Sequence, residues 1–364
     1  MSWLERLRMI EELEDAPLDA ALIAELELAG RAVEARPIRF ATPTFKDYAS
    51  TELRGCSRNS FPAFSITGGA CGLDCDHCRA KILEPMLPAT SPEMLDRKVR
   101  ELIARQGLQG FLLSGGSNRR NEIRYERFYP VLERLKRDHP ALKIAIHTAL
   151  TDETGARAME SAGIDTAMMD VIGAQETIRQ VYHLDRPVAD FEATLAALCT
   201  TSMEVTPHIV IGLHYGRILG EPEALRIVSR HRVAALVLVV VMPFYALPGT
   251  FAVPDPSEVG RLFAGARARL PDRNVLLGCA RPPGMHKRLT DTYAVLAGLD
   301  GIAFPADGAA AVASAIGRPF EQQHACCSIK LGTVAAGAGA GAGARACGGS
   351  SVPVTGASFS GVQP

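Results

Sequence analysis

The sequence lacks a strong net charge, a long apolar run and an export signal. Its 39 basic and 40 acidic residues leave a formal net charge of -1, which gives no electrostatic reason to expect a nucleic acid or an anionic membrane as partner. The longest apolar run, VAALVLVVVMPF, is too short to span a membrane. The N-terminus is charged and amphipathic, whereas a secretory signal has an apolar centre. We therefore expect a cytoplasmic protein.

The cysteines are unevenly distributed. There are nine, an odd number, and a cytoplasmic chain normally keeps its thiols reduced, so a disulfide framework is not expected. Cys71, Cys75 and Cys78 lie within one loop, GGACGLDCDHC, with the spacing C-x3-C-x2-C. Such a cluster is typical of a metal-ligand site.

Short apolar segments alternate with amphipathic helical patterns from residue 61 onward. The eight candidate strands are AFSIT, GFLLSGG, KIAIHTA, DTAMMDVIG, VTPHIVIGL, AALVLVVVMPF, NVLLGCA and DGIAFP. Strands that alternate with helices indicate parallel βα units, and therefore an α/β fold. Eight repeats favour a full or nearly full (β/α)8 barrel of the TIM type. An open doubly wound sheet is the alternative, because periodicity alone does not separate the two.

Polar residues near the strand ends favour the barrel. These residues are Ser114, His147, Asp170, His208 and Cys279, and each falls near the carboxyl end of a candidate strand. In a (β/α)8 barrel, that end forms the active-site face.

The composition of the chain predicts that it is divided into three segments. Residues 1–60 contain one or two helices and an extended stretch, and we interpret them as an N-terminal extension. Residues 61–331 contain the barrel. Residues 332–364 are rich in Gly, Ala and Ser and cannot bury enough apolar surface to become ordered, so they predict a disordered tail.

The three-cysteine loop is compatible with more than one metal group. A zinc ribbon needs a second cysteine pair at similar spacing, and none follows nearby. Haem attachment needs a histidine after the last cysteine, where this chain has Arg79. A Cys3His zinc site completed by His77 remains an alternative. Three thiolates also suit a [4Fe-4S] cluster, since they leave its fourth iron open to another ligand.

The C-x3-C-x2-C loop resembles the signature of the radical S-adenosylmethionine (radical SAM) enzymes. In that family, the amino and carboxylate groups of SAM chelate the open iron. The resemblance implies that Cys71, Cys75 and Cys78 hold a [4Fe-4S] cluster that reduces SAM and releases a 5'-deoxyadenosyl radical. The residue before the third cysteine is usually aromatic in the family and packs near the adenine, and His77 holds that place here.

Two further segments extend the resemblance. Ser114, Gly115, Gly116 and Ser117 resemble the family's glycine-rich segment, whose backbone carbonyls accept hydrogen bonds from the amino group of SAM. Glycines allow that close backbone approach. Asp170 lies where related enzymes place polar groups for the ribose hydroxyls. A salt bridge or a helix cap would account for Asp170 equally well.

Four of the remaining cysteines predict a second site. On a barrel, Cys56, Cys279, Cys326 and Cys327 could converge at one mouth and hold an auxiliary [4Fe-4S] cluster. Adjacent cysteines do not automatically bind one cluster, so one of the final pair could be spare. Unrelated thiols near a rim are the alternative.

Several longer segments together resemble the two-protein (LipS-type) lipoyl synthases, which are relatives of biotin synthase and of the single-chain lipoyl synthases. The segments are FPAFSITGGACGLDCDHCRAKILEPM, LLSGGS, HIVIGLHYG, CARPPGMHKRLTD and the terminal CC. The resemblance implies a sulfurtransferase that inserts sulfur at C6 or C8 of a protein-bound octanoyl chain, with the auxiliary cluster as sulfur donor. The implied partners are an octanoylated lipoyl-carrier protein or domain, a homologous partner lipoyl synthase subunit, and an electron donor such as ferredoxin or flavodoxin.

Two other functions stay open at this point. A biotin-synthase-like or peptide- or small-molecule-modifying radical SAM enzyme would use its second cluster to relay electrons or bind substrate. A zinc- or cluster-stabilised binding protein would use the metal for folding energy only.

Overall fold

Eleven parallel strands form one sheet. The computed structural model describes residues 1–30, 36–42, 48, 50–53 and 61–329. The strands are β1 (Ile38–Ala41), β2 (Ala63–Ser65), β3 (Leu87–Pro88), β4 (Gly110–Ser114), β5 (Lys143–His147), β6 (Thr166–Asp170), β7 (Glu204–Ile211), β8 (Ala235–Val240), β9 (Asn274–Leu277), β10 (Gly301–Ala303) and β11 (Phe320–Gln323). Their order across the sheet is β11-β1-β10-β9-β8-β7-β6-β5-β4-β2-β3.

Helices connect most of the strands. They are α1 (Trp3–Leu7), α2 (Ala20–Ala29), α3 (Pro92–Gln106), α4 (Tyr129–Asp138), α5 (Glu153–Ser161), α6 (Gln175–Gln180), α7 (Val188–Cys199), α8 (Glu221–Arg230), α9 (Pro256–Arg269), α10 (Met285–Leu296) and α11 (Ala309–Ala315). No helix among the described residues is long and apolar enough to cross a bilayer.

The predicted α/β alternation is confirmed, because all eight candidate strands are present as β2 and β4 to β10. The reason is visible in β8, whose residues ALVLVV are almost all buried. A parallel strand covered on both faces must be apolar at successive positions, and this run is too short and too β-branched to form a buried helix.

The two faces of the sheet bury different side chains. Ile144 and Ile146 of β5 belong to the main core, to which residues of the surrounding helices also contribute. Ala145, which alternates with them, faces the other way and packs with Met168 of β6, with Phe61 and with Ile329. Because Ile329 follows β11 in the chain, its contact with β5 and β6 shows that the sheet curls round to enclose its inner face.

The expected full or nearly full barrel is confirmed in part, because the described strands form a curled parallel sheet that does not close. A closed eight-stranded barrel would pair β10 with β2, but β1 occupies that edge of β10 and β11 pairs with β1 in turn. In the described part of the chain, no pairing joins β3 to β11. The segment after β11 instead covers the inner face, where Ala325 and Ile329 are both buried.

The described part of residues 1–60 packs directly onto the sheet and its helices. α1 begins at a capping box in which the Ser2 hydroxyl accepts from the backbone N–H of Glu5 and the Glu5 carboxylate accepts from that of Ser2. Trp3 and Leu7 are buried in the main core, and β1 is an interior strand of the sheet. The predicted tail, residues 332–364, lies outside the described residues.

A buried ion pair joins three elements near one end of the sheet. Arg281 follows β9, and its Nε and Nη2 donate to the two carboxylate oxygens of Asp291 in α10, at 2.6 and 2.9 Å. The guanidinium also donates to the carbonyls of Gly278 and Phe304, and Asp291 accepts from the backbone N–H of Ala306. Both side chains are fully buried. The ion pair therefore holds the backbone in place on either side of Cys279.

We expect Asp291→Ala to lower the free energy of unfolding by about 3–5 kcal/mol, since it leaves the Arg281 charge buried without its partner. Anaerobic chemical denaturation measures this loss. Glu101→Ala is the control, because Glu101 belongs to an exposed pair with Arg105 whose contribution should be at most about 1 kcal/mol. Equal losses in the two variants would contradict the role given to the buried pair.

Candidate active site

The three-cysteine loop follows β2 at the carboxyl edge of the sheet. The backbone N–H of Cys78 donates to the carbonyl of Cys75 at 3.2 Å, and a 3₁₀ turn begins at Lys81. Asp74 and Arg79 both adopt left-handed backbone conformations, with φ of 50° and 47°. These reversals confine the loop to a small volume, so the three thiols influence one another electrostatically.

The environment of Cys75 and Cys78 keeps these two thiols protonated when nothing is bound. Cys75 is buried, and burial together with Cys78 and Cys71 raises its pKa well above the ordinary value. Burial raises the pKa of Cys78 to about 11. Two such thiols ionise together only beside a strong positive charge, as when they bind a metal centre. The donor set therefore fits a thiolate-bound cluster.

His77 lies against an aromatic ring rather than in solvent. Its ring stacks on Tyr182 with the centroids 5.1 Å apart. Burial lowers the pKa of His77 to about 4, so the ring is neutral at physiological pH. Its Nδ1 is buried and has no hydrogen-bond partner, which is costly unless a ligand supplies one. This polar atom fits the predicted position near the adenine of SAM.

The zinc alternative would use His77 as its fourth ligand. In the part of the chain that the structure describes, no three His, Cys, Asp or Glu side chains are grouped as ligands of a single metal ion. A four-iron cube is larger than one ion, and the thiols that surround it lie farther apart.

The glycine-rich segment after β4 is in direct contact with the cysteine loop. The backbone N–H of Gly72 donates to the carbonyl of Ser117 at 2.6 Å. A Cβ at Gly116 would clash with the carbonyl oxygen of Ala70 and lie 2.6 Å from the Cα of Cys71, so only glycine fits there. The two segments therefore meet in the structure.

Two of the four carbonyls in this segment already accept hydrogen bonds within the protein. The Ser114 carbonyl accepts from Ile66, and the Ser117 carbonyl accepts from Gly72. The acceptor role toward SAM that the sequence predicts therefore fits Gly115 and Gly116 better than the two serines.

Three polar side chains from adjacent strands meet on the inner face. Asp170 of β6 and His208 of β7 are register partners. His147 of β5 lies with its Nε2 3.7 Å from Oδ1 of Asp170, and its ring centroid is 5.2 Å from that of His208. The Nδ1 of His208 is 3.1 Å from the carbonyl of Thr206, so that nitrogen carries the hydrogen and Nε2 is an acceptor. Burial, and then His147, lower the pKa of His208 to about 4.

Asp170 lies between these histidines and the cysteine loop. Its negative charge contributes to the raised pKa values of Cys75, Cys78 and Tyr182. The sequence placed Asp170 at the site, but its role toward the ribose stays a prediction. Tyr182 was missed, because it lies in the short segment VYHLD between two helices, where no periodic pattern marks it.

Three of the four residues of the predicted second site lie near one another. Cys279, after β9, and Cys327, after β11, pack against the same apolar cluster, which includes Ala303 and Phe304. Cys326 packs against the cluster on the inner face of the sheet that includes Ala145 and Met168. The fourth predicted ligand, Cys56, lies outside the described residues.

The neighbouring thiols of Cys326 and Cys327 interact directly. A hydrogen bond between them lowers the pKa of Cys326 to about 7 and raises that of Cys327 above its ordinary value. Cys279 adds to the rise for Cys327, so all three sulfur atoms belong to one electrostatic group. This grouping favours a ligand site over unrelated thiols.

Comparisons with known proteins agree with the first site. Residues 65–217 match the family model of the Radical SAM superfamily. A biotin synthase from Desulforudis audaxviator (strain MP104C) is 27% identical over 235 residues, which cover 63% of this chain and 67% of that protein.

Solved structures with the same fold have little sequence identity. HydG, a maturase of the [FeFe]-hydrogenase, aligns with a TM-score of 0.56 and 12% identity over 83% of this chain and 67% of its own. Methylornithine synthase (PylB) aligns with a TM-score of 0.50 and 13% identity over 78% of this chain and 76% of its own. Identities this low show the fold alone.

Residues 65–217 are thus similar to the radical SAM superfamily, and a biotin synthase is among the similar proteins. The matched range contains the cysteine loop, the glycine-rich segment and Asp170, whereas Cys279, Cys326 and Cys327 follow it.

We expect Gly116→Ala to reduce the iron that the protein binds and to destabilise it by about 1–3 kcal/mol, because the added Cβ pushes against the backbone of the cysteine loop. Iron per chain after anaerobic reconstitution and the thermal midpoint Tm measure the two effects. Gly69→Ala is the matched control, since a Cβ there meets no described atom within 4 Å. Full iron binding by Gly116→Ala would disprove the close approach of the two segments.

Proposed function

We propose that this protein is a radical SAM sulfurtransferase of the lipoyl synthase type, which inserts sulfur at C6 or C8 of a protein-bound octanoyl chain. The observation that carries the proposal is the second cysteine group, Cys279, Cys326 and Cys327. Every strand of the sheet is parallel, so the loops after β2, β9 and β11 all leave from the same edge. Both cysteine groups therefore lie at the carboxyl edge, where (β/α) enzymes carry their active sites.

The two cysteine groups have different roles in the proposed reaction. When bound, the first cluster and SAM supply a radical that takes hydrogen from an unactivated carbon, and the auxiliary cluster supplies the sulfur for the new carbon–sulfur bond. Cys71, Cys75 and Cys78 hold the first cluster. His77, Gly115, Gly116 and Asp170 bind SAM in this proposal. The curled sheet shields the reacting carbon from water.

The inner face of β5 and β6 connects the two groups. Cys326 packs against the apolar cluster that includes Ala145 and Met168, which precede His147 and Asp170 by two residues on the same strands. Two residues span about 7 Å along a strand. Asp170 is in turn close enough to Cys75 to raise its pKa. A substrate carbon on this face would therefore lie between the radical source and the Cys326 sulfur.

The proposal includes three partners. The octanoyl chain arrives on a lipoyl-carrier protein or domain, and a homologous partner lipoyl synthase subunit acts on the other carbon. An electron donor such as ferredoxin or flavodoxin reduces the first cluster. A cytoplasmic location suits all three.

The polar inner face favours a second candidate. His147, Asp170 and His208 offer hydrogen-bonding groups to the enclosed space, and an unsubstituted hydrocarbon would leave them without partners. A biotin-synthase-like enzyme, or one that modifies a small molecule or peptide, would present a polar group there. Its second cluster would then relay electrons or bind substrate without giving up sulfur.

The deciding experiment incubates an octanoylated carrier domain with SAM, reductant and this protein, with and without the homologous partner. We expect the mass of the octanoyl group to increase by added sulfur. Cys279→Ala should still cleave SAM to 5'-deoxyadenosine but form no sulfur-containing product. Cys199→Ala, on α7 and outside both groups, is the control and should form product normally. Undiminished product from Cys279→Ala would rule out the sulfur-donor role.

Iron analysis separates the two cysteine groups. Two [4Fe-4S] clusters predict about eight irons per chain, and replacing Cys71, Cys75 and Cys78 together should leave about half of them. The triple variant should also lose 5'-deoxyadenosine formation. SAM cleavage by that variant would contradict the assignment of the first site, and zinc in place of iron would favour a structural role.

A further inference from the structure

Asp76 lies between Cys75 and His77, and its carboxylate bridges two other parts of the chain. Oδ1 is 2.9 Å from Nε2 of His183, just after α6. Oδ2 accepts a hydrogen bond of 2.9 Å from the hydroxyl of Tyr215, in the turn after β7. Both carboxylate oxygens are therefore engaged, each by a different segment.

Backbone and ring contacts reinforce the same connection. The backbone N–H of Asp76 donates to the carbonyl of Val181 at 3.0 Å. His77 stacks on Tyr182, the next residue along that segment. The hydroxyl of Tyr215 also lies 3.0 Å from the carbonyl of Gln180, the last residue of α6. The cysteine loop, the end of α6 and the turn after β7 thus meet at one carboxylate.

The two residues that contact the carboxylate are held in an uncommon backbone conformation. His183 and Tyr215 each have φ of 54°, in the left-handed region. For residues other than glycine, this conformation is unfavourable and persists only where surrounding contacts impose it. His183 and Tyr215, which contact Asp76, are therefore both held in a strained backbone conformation.

We propose that Asp76 is a positioning residue for the first cluster, an inference that rests on the cluster that the proposed function assigns to Cys71, Cys75 and Cys78. Asp76 fixes the chain between Cys75 and Cys78, two of the three predicted ligands. A group that holds metal ligands in place slows the loss of the metal.

Asp74 provides a built-in comparison. It lies in the same loop and carries the same charge, but its side chain is mostly exposed and contacts Arg79 at 3.4 Å. Because its φ is 50°, a conformation that asparagine tolerates, Asp74→Asn should leave the loop unchanged. An effect specific to Asp76 must therefore exceed that of Asp74→Asn.

The test follows the reconstituted protein and does not depend on product formation. We expect Asp76→Ala to lose iron to a chelator about 10- to 100-fold faster than wild type, a loss typical of groups that orient metal ligands. Asp76→Asn keeps the shape of the side chain, so it should retain more iron than Asp76→Ala. Asp74→Asn should lose iron at the wild-type rate. Anaerobic transfer of iron to the chelator, followed by absorbance, measures these rates.

Variants of the two contacting residues keep the test decisive if Asp76→Ala does not fold. Tyr215→Phe removes one hydrogen bond to the carboxylate and should speed iron loss. His183→Leu should do the same, whereas His183→Gln retains an N–H donor and should restore slow loss. Wild-type rates of iron loss in Tyr215→Phe and His183→Leu would overturn the proposal. Iron loss from His183→Gln as fast as that from His183→Leu would overturn it as well.

Discussion

The candidate site depends on three thiols held in one loop, two of which are difficult to ionise. Burial and the neighbouring thiols raise the pKa values of Cys75 and Cys78, so these two ionise only when a positive charge is bound beside them. A metal centre that binds thiolates supplies that charge. The neighbouring segments serve the same arrangement: glycine at position 116 lets the backbone approach, and Asp76 joins the loop to two other segments.

The all-parallel sheet explains why residues far apart in sequence share one site. Each strand ends at the same edge, so Cys71, Asp170, His208 and Cys279 all lie toward that edge although more than 200 residues separate the first from the last. The helices contribute to the outer core, which leaves the inner face for chemistry. Asp170 lies on this face, between the histidines and the first cysteine group.

The strands at the open edge of the sheet determine where the second cysteine group lies. Since β1 and β11 extend the sheet beyond β10, the chain emerges from β11 beside the inner face rather than outside a closed barrel. Ala325 and Ile329 then pack across that face, and Cys326 lies between them in sequence. A closed eight-stranded barrel would leave no such entry. The added strands β1 and β11 thus bring the second cysteine group toward the first cysteine group.

The sequence alone determined what depends on local pattern. The cysteine spacing identified the loop, and short apolar runs identified all eight strands, because burial on both faces imposes an apolar composition on each strand separately. Tertiary structure decided what depends on neighbours. The pairing of β1 with β10, the contact of Asp76 with His183 and Tyr215, and the inward position of Cys326 join residues far apart in the chain. Periodicity shows that a strand exists and which residues share a face, but hydrogen-bond partners across the sheet are chosen only when the whole chain folds.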